Sequence, residues 1–112
     1  MRVNKFGAKK TVVDGITFDS KAEARRYSTL TLMQKAGLIS DLKRQVVFAL
    51  APGVKYAGDA RAKPALRYVA DFTYTEGGQL VVDDTKGVIT EGFRIKRHLM
   101  KHIHNIDLRL SK

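Results

Sequence analysis

The segment from Leu66 to Lys86 restricts this chain more than any other. Leu66 to Thr75 is rich in Tyr, Val, Phe and Thr, and Gln79 to Lys86 continues with Leu80, Val81 and Val82, residues that suit a pleated, half-buried surface. Between them stands Glu76-Gly77-Gly78, and a two-glycine loop supplies the positive φ angles of a tight hairpin. This spacing predicts two antiparallel strands in which Glu76 pairs with Gln79. Counting back along both strands from that pair puts Asp71 directly opposite Asp84. Alternation puts Asp84 and Lys86 on one face and Asp83 on the other. A three-residue loop would slip the register by one and exchange the two aspartates; sharing a face with Lys86 favours Asp84.

Like charges placed directly opposite each other destabilise a sheet by about 0.2–1 kcal/mol, and burial raises the cost. The neighbours Tyr68, Val69, Ala70, Phe72 and Tyr74 are core material, so two carboxylates forced together there need a counter-charge. A hard divalent cation is the usual one. Lys86 projects beside the pair, where an ammonium can orient an attacking water and stabilise charge developing on a phosphate. The plain alternative is an aspartate paired with an arginine and a local ion pair at a strand end. An acid inside an apolar strand, a second acid opposite it and a lysine two residues on favour the metal site together more than singly.

The rest of the chain fits one domain over residues 1–112. It has 112 residues and no cysteine, which excludes a disulfide framework, a thiolate zinc site and a cysteine nucleophile. No apolar run approaches the ~18–20 residues of a membrane span, and the start MRVNKFGAKK has no apolar stretch after its charges, so neither a span nor a cleaved leader is expected. Residues 1–10, with Lys5, Lys9 and Lys10, read as a basic arm. Thr11–Phe18 reads as a hairpin turning at Asp14-Gly15, and Ser20-Lys21-Ala22-Glu23 matches a capping box that opens a helix to about Ala36. Ala24, Tyr27, Leu30 and Met33 form its buried stripe. Gln45–Leu50 is a strand candidate, 52–64 a loop, Thr90–His104 a helix with Ile95, Leu99 and Ile103 on one side, and Ile106–Leu110 a closing strand. The expected class is therefore α/β: a hairpin, then helix, three strands, helix and strand, forming a mixed sheet flanked by two helices.

Twenty-one Lys and Arg against eleven Asp and Glu give a formal net charge of +10, which favours a polyanion, and nucleic acid first. Arg94, Lys96, Arg97 and Lys101 recur along the last helix as a candidate face for the DNA backbone, as do Lys5, Lys9 and Lys10 on the arm. Gln45, at a strand start, is a possible auxiliary to the acidic site. His98 and His102 lie four apart, without the HExxH pattern or cysteines of a zinc site, and read as solvated.

Asp71 followed by Asp84-Thr85-Lys86 resembles the signature of the PD-(D/E)XK nuclease superfamily, and the order helix, three strands, helix, strand resembles its restriction-endonuclease-like core. The runs Phe18–Tyr27, Tyr68–Phe72 and Val81–Gly87 resemble a phage-encoded branch of small proteins related to the archaeal-type Holliday junction resolvases. The signature proline is replaced by Ala70. The resemblance implies that Asp71 and Asp84 bind Mg²⁺ or Mn²⁺, with the Thr85 carbonyl as a further ligand, that Lys86 positions the attacking water, and that Glu23 completes the metal site. Glu23 has a second role open to it, as the capping-box glutamate. The expected activity is that of a Mg²⁺-dependent endodeoxyribonuclease of the Holliday junction resolvase type, active in DNA recombination. The expected setting is a homodimer on branched DNA in the cytoplasm of a bacterial host, with no membrane and no small-molecule cofactor. Two alternatives stay open: a non-catalytic basic DNA-binding protein of the same fold, and a nuclease for flaps, duplex ends or a specific sequence.

Overall fold

The structure is a computed structural model and describes residues 10–112. Strands β1 (Thr11–Val13) and β2 (Ile16–Phe18) form a two-stranded sheet. Asp14 and Gly15 both hold positive φ at their turn, as a two-residue hairpin of this hand requires. Helix α1 (Lys21–Lys35) starts at Ser20, whose hydroxyl accepts from the Glu23 amide at 3.1 Å. Strands β3 (Ser40–Ala51), β4 (Leu66–Glu76) and β5 (Gln79–Thr85), helix α2 (Glu91–His104) and strand β6 (Arg109–Ser111) complete the chain. The second sheet has the order β3-β4-β5-β6, antiparallel except for the parallel β5–β6 pair. That pair is bridged by α2, the crossover that parallel neighbours need. The protein is thus α/β, with a small hairpin sheet and a mixed four-stranded sheet flanked by two helices. No helix of the described residues is long and apolar enough to cross a membrane.

Two apolar clusters hold these elements. One joins Phe18, Ala24, Leu30, Ile39, Phe72 and Tyr74, with Tyr27 and Met33 packed against it, so the expected α1 stripe faces inward. The other joins Leu50, Tyr68, Ala70, Val82, Phe93, Met100 and Leu108. Each large apolar side chain buried there contributes about 1.5–3 kcal/mol. On α2 the inward residues are Phe93 and Met100, with Leu99 partly buried, whereas Ile95 and Ile103 are exposed. The aromatic ring and flexible thioether fill the space over Tyr68, whose ring centroid lies 6.4 Å from that of Phe93, and this rotates the helix away from the isoleucine stripe.

Two expected strand boundaries move. Strand β3 begins at Ser40 rather than Gln45, because Leu42 packs into the α1 cluster and the long β4 carries the ladder out to Ser40↔Thr75. Strand β6 lies at Arg109–Ser111, since Ile106 and Leu108 are taken up by the core before the ladder with β5 starts. Residues 52–64 are a loop, as expected, closed by a single bridge between Val54 and Lys63.

The two longest strands change face at one level. Tyr68 and Ala70 pack in the α2 cluster while Phe72 and Tyr74 pack in the α1 cluster, although all four are even-numbered and would share a face in a regular strand. Strand β3 does the same: Leu42 and Arg44 lie on the α1 side, Arg44 over the Phe18 ring at 4.6 Å, and Phe48 and Leu50 on the α2 side. The register is the same before and after the switch, with Arg44↔Phe72 and Val46↔Ala70. Both strands therefore change face together, at Gln45 and Asp71.

Candidate active site

The β4–β5 ladder runs from Glu76↔Gln79 to Phe72↔Asp83, the register expected from the Gly77-Gly78 turn. One step further, Asp71 and Asp84 meet. Instead of continuing the ladder, Asp71 Oδ2 accepts a hydrogen bond from the Thr85 amide at 2.9 Å. Asp84 is 2 % exposed; its Oδ2 accepts from the Tyr68 hydroxyl at 2.7 Å and lies 3.6 Å from Lys86 Nζ. The same ammonium sits 4.6 Å from the centre of the Phe93 ring, a cation–π contact that limits where it can swing. Asp71, Asp84, Lys86, Tyr68 and Phe93 all line one open pocket of about 340 Å³.

Two carboxyls in so little water cannot both hold full charge cheaply. Burial first, then the hydrogen bond and repulsion from Asp84, push the Asp71 carboxyl up to about 8. Burial and the bond to Asp84 likewise raise Tyr68 above its ordinary value, so its hydroxyl stays a donor. Around neutral pH the Asp71 carboxyl thus favours its protonated form, and a stronger counter-charge would displace that proton.

Glu23 stands at the edge of this field. Burial, then Asp19, raise its pKa and Arg44 lowers it, with Asp84 and Lys86 also acting on it. The cap is seen in one direction only: Ser20 accepts from the Glu23 amide, while among the described residues the Glu23 carboxylate receives no hydrogen bond. It is therefore available to the site at electrostatic range. Gln45 sits mid-strand at the register position opposite Asp71 and is exposed. Its φ of 52° is left-handed, which costs a bulky residue on the order of 1–3 kcal/mol.

Asp83 points away, to the α1 side. It is 0 % exposed, and Arg26 donates to its Oδ2 through Nε at 3.1 Å and Nη2 at 2.7 Å. The Tyr74 hydroxyl donates to the same oxygen and Ser111 Oγ to Oδ1, each at 2.7 Å. Arg109 reaches Tyr74 at 3.3 Å and Glu76 at 3.0 Å. The arginine pairing that sequence alone offered for Asp71 is thus made by Asp83. Arg26, Tyr68, Tyr74 and Ser111 were not singled out from the sequence. Arg26 carried a signal, one helical turn after Glu23 and on the same face; the two tyrosines read only as strand residues.

The model for the family described as a protein of unknown function, DUF1064, matches residues 3–112. The chain belongs to that family. No curated protein and no solved structure matches it.

The basic residues of this DUF1064 chain do not form one face. Lys96 lines the pocket of Asp71 and Asp84, together with Thr90 and Gly92. Arg94, Arg97 and Lys101 line a separate cavity of about 290 Å³ on the other flank of α2, with His98 and Asp107. There Arg94 pairs with Glu91 at 2.6 Å and Lys101 with Asp107 at 2.8 Å, whereas Arg97 forms no ion pair among the described residues. Lys10 is exposed; Lys5 and Lys9 lie outside the described residues. Thr85 engages the site through its amide and joins Ser111 through its hydroxyl at 3.3 Å. Among the described residues no three His, Cys, Asp or Glu side chains form a group that could hold a metal ion. His98 and His102 are exposed.

Proposed function

We propose that this chain is a divalent-metal-dependent DNA endonuclease of the PD-(D/E)XK superfamily with a restriction-endonuclease-like core. We assign it to branched DNA in the manner of a Holliday junction resolvase, as a phage-encoded homodimer in the bacterial cytoplasm. The observation that carries the reading is the Asp71–Asp84 pair, one half-buried and one fully buried, in an open pocket with Lys86.

The donor set suits a hard cation. It consists of oxygen atoms alone, and Mg²⁺ characteristically takes one or two carboxylates and fills its remaining positions with water and substrate phosphate. Two side chains, rather than three, are therefore enough. Asp71 and Asp84 would hold Mg²⁺ or Mn²⁺, with the Thr85 carbonyl as a further oxygen donor and Glu23 acting from the edge. Such an ion supplies Lewis-acid polarisation of the phosphoryl group and a lowered pKa for water. Lys86, fixed between Asp84 and Phe93, orients the attacking water and balances charge developing on the phosphate. Tyr68 keeps one oxygen of Asp84 in place. Lys96 and Arg97, on opposite flanks of α2, hold backbone phosphates. A four-way junction is approximately two-fold symmetric and needs two cuts, which a C2 dimer would place.

The test is cleavage of junction, flap, linear duplex and single-stranded DNA in Mg²⁺, Mn²⁺ or EDTA, with Asp84→Asn as control. Metal-dependent cutting abolished by that substitution supports the enzyme. DNA binding without cleavage of any substrate leaves only a basic binding protein, and equal cutting of junction and duplex removes the resolvase reading.

A further inference from the structure

The β5–α2 loop holds two consecutive aliphatic side chains in water beside the candidate active site. Val88 is 69 % exposed and Ile89 51 %, immediately after Lys86-Gly87 and before the N-cap Thr90. Val88 forms one wall of a cavity of about 350 Å³. The opposite wall comes from Ser20 and Ala22 at the start of α1, and Thr85, Gly87 and Thr90 close the rest. Lys86 lines this cavity and the pocket of Asp71 and Asp84 alike. The two spaces are therefore neighbours that share one cation.

The lining selects the occupant. It holds no acid, and its character is set by alanine, valine, threonine methyls and backbone, with a single ammonium at the edge. A cavity of this size takes a small-molecule-sized group. A group with apolar faces, carried on an anion that Lys86 can hold, in a protein of net charge +10, is a nucleobase on its phosphate backbone. A stacked and paired base cannot enter, whereas a base at a branch point or mismatch unstacks at least cost, often against an aliphatic wedge.

We propose that the cavity between α1 and the β5–α2 loop receives an unstacked nucleobase beside the phosphate held at Lys86, with Val88 as its apolar wall. The inference rests on the nuclease reading for that phosphate. It adds the substrate class: DNA with an unpaired or readily unstacked base next to the cut.

The test uses the full chain in EDTA and a four-way junction carrying 2-aminopurine, whose fluorescence is quenched by stacking, at the branch-point nucleotide. Wild type should raise the fluorescence several-fold. Val88→Ser should lose the rise and bind the junction roughly ten-fold more weakly, the scale of one aliphatic contact, with linear duplex affinity unchanged. Val88→Leu should keep the rise. Unaltered fluorescence and affinity in Val88→Ser, or an equal loss on linear duplex, overturns the inference. A persistent rise without cleavage in Mg²⁺ instead overturns the nuclease reading and leaves base binding standing.

Discussion

Asp83 and Asp84 are adjacent on β5, both buried, and each accepts a tyrosine hydroxyl at 2.7 Å. Their surroundings differ in one respect that decides what each can do. Asp83 meets the arginine fork of Arg26 and the Ser111 hydroxyl, so its charge is balanced inside the protein. Asp84 meets a second carboxyl and a lysine at 3.6 Å, in a pocket open to solvent. A buried charge answered by arginine ties elements together; one that faces a second carboxyl in an open pocket is held ready for something the protein does not itself contain. The Asp83 network joins α1, β4, β5 and β6, and so sets where Asp84 stands.

Exchanging the two sides by mutation should separate their roles. The largest effect is on chemistry: Asp84→Asn should lower cleavage by on the order of 10³-fold or more, as expected when a metal-binding carboxylate is lost, while melting at no lower temperature than wild type. Arg26→Met should do the converse. It strands a buried carboxylate without its cation and should cost about 3 kcal/mol of stability, read from denaturant unfolding. If Asp84→Asn unfolds the protein or Arg26→Met leaves stability untouched, the division between the two aspartates fails.

A smaller effect comes from pH. The Asp71 carboxyl titrates near 8 when folded, against an ordinary value of 3.8. Between those limits the folded state holds a proton that the unfolded chain has released, so this group's stabilisation is complete below about pH 4 and is lost as pH rises towards 8. Metal-free protein should melt at a higher temperature at pH 5 than at pH 8, and Asp71→Asn should flatten that slope. Saturating Mg²⁺ should flatten it too, because the cation takes the place of the proton. A slope unchanged by Asp71→Asn would show that the pair is not its source.

The strand pattern and the Gly77-Gly78 turn were enough to place Asp71 against Asp84, and Lys86 with Asp84, because register in a tight hairpin is a counting problem. The Arg26–Asp83 pair is different, since it joins residues 57 positions apart and depends on how α1 settles on the sheet. The face switch at Gln45 and Asp71 was equally hidden. Local propensity favours regular alternation, and only the competition of two helices for the two ends of β3 and β4 breaks it. The basic helix was read as one face although consecutive residues lie about 100° apart on a helix; with Phe93 and Met100 inward, Lys96 and Arg97 fall on opposite flanks.

The finest comparison lies between the tyrosines. Tyr74→Phe and Tyr68→Phe each remove one hydroxyl from a buried aspartate, a bond to a charged group worth about 1.5–3 kcal/mol. Melting should rank Tyr74→Phe as the costlier, because its hydroxyl also accepts from Arg26 and Arg109. The order should reverse in Mg²⁺. Tyr68 occupies Asp84 Oδ2, the oxygen nearest Lys86, so its loss should change the metal concentration needed for half-maximal cleavage. Tyr74 serves only Asp83 and the two arginines, and its loss should leave that midpoint where it was. If both midpoints move equally, the two faces of β5 are coupled through the strand itself, and Asp83 belongs to the site after all.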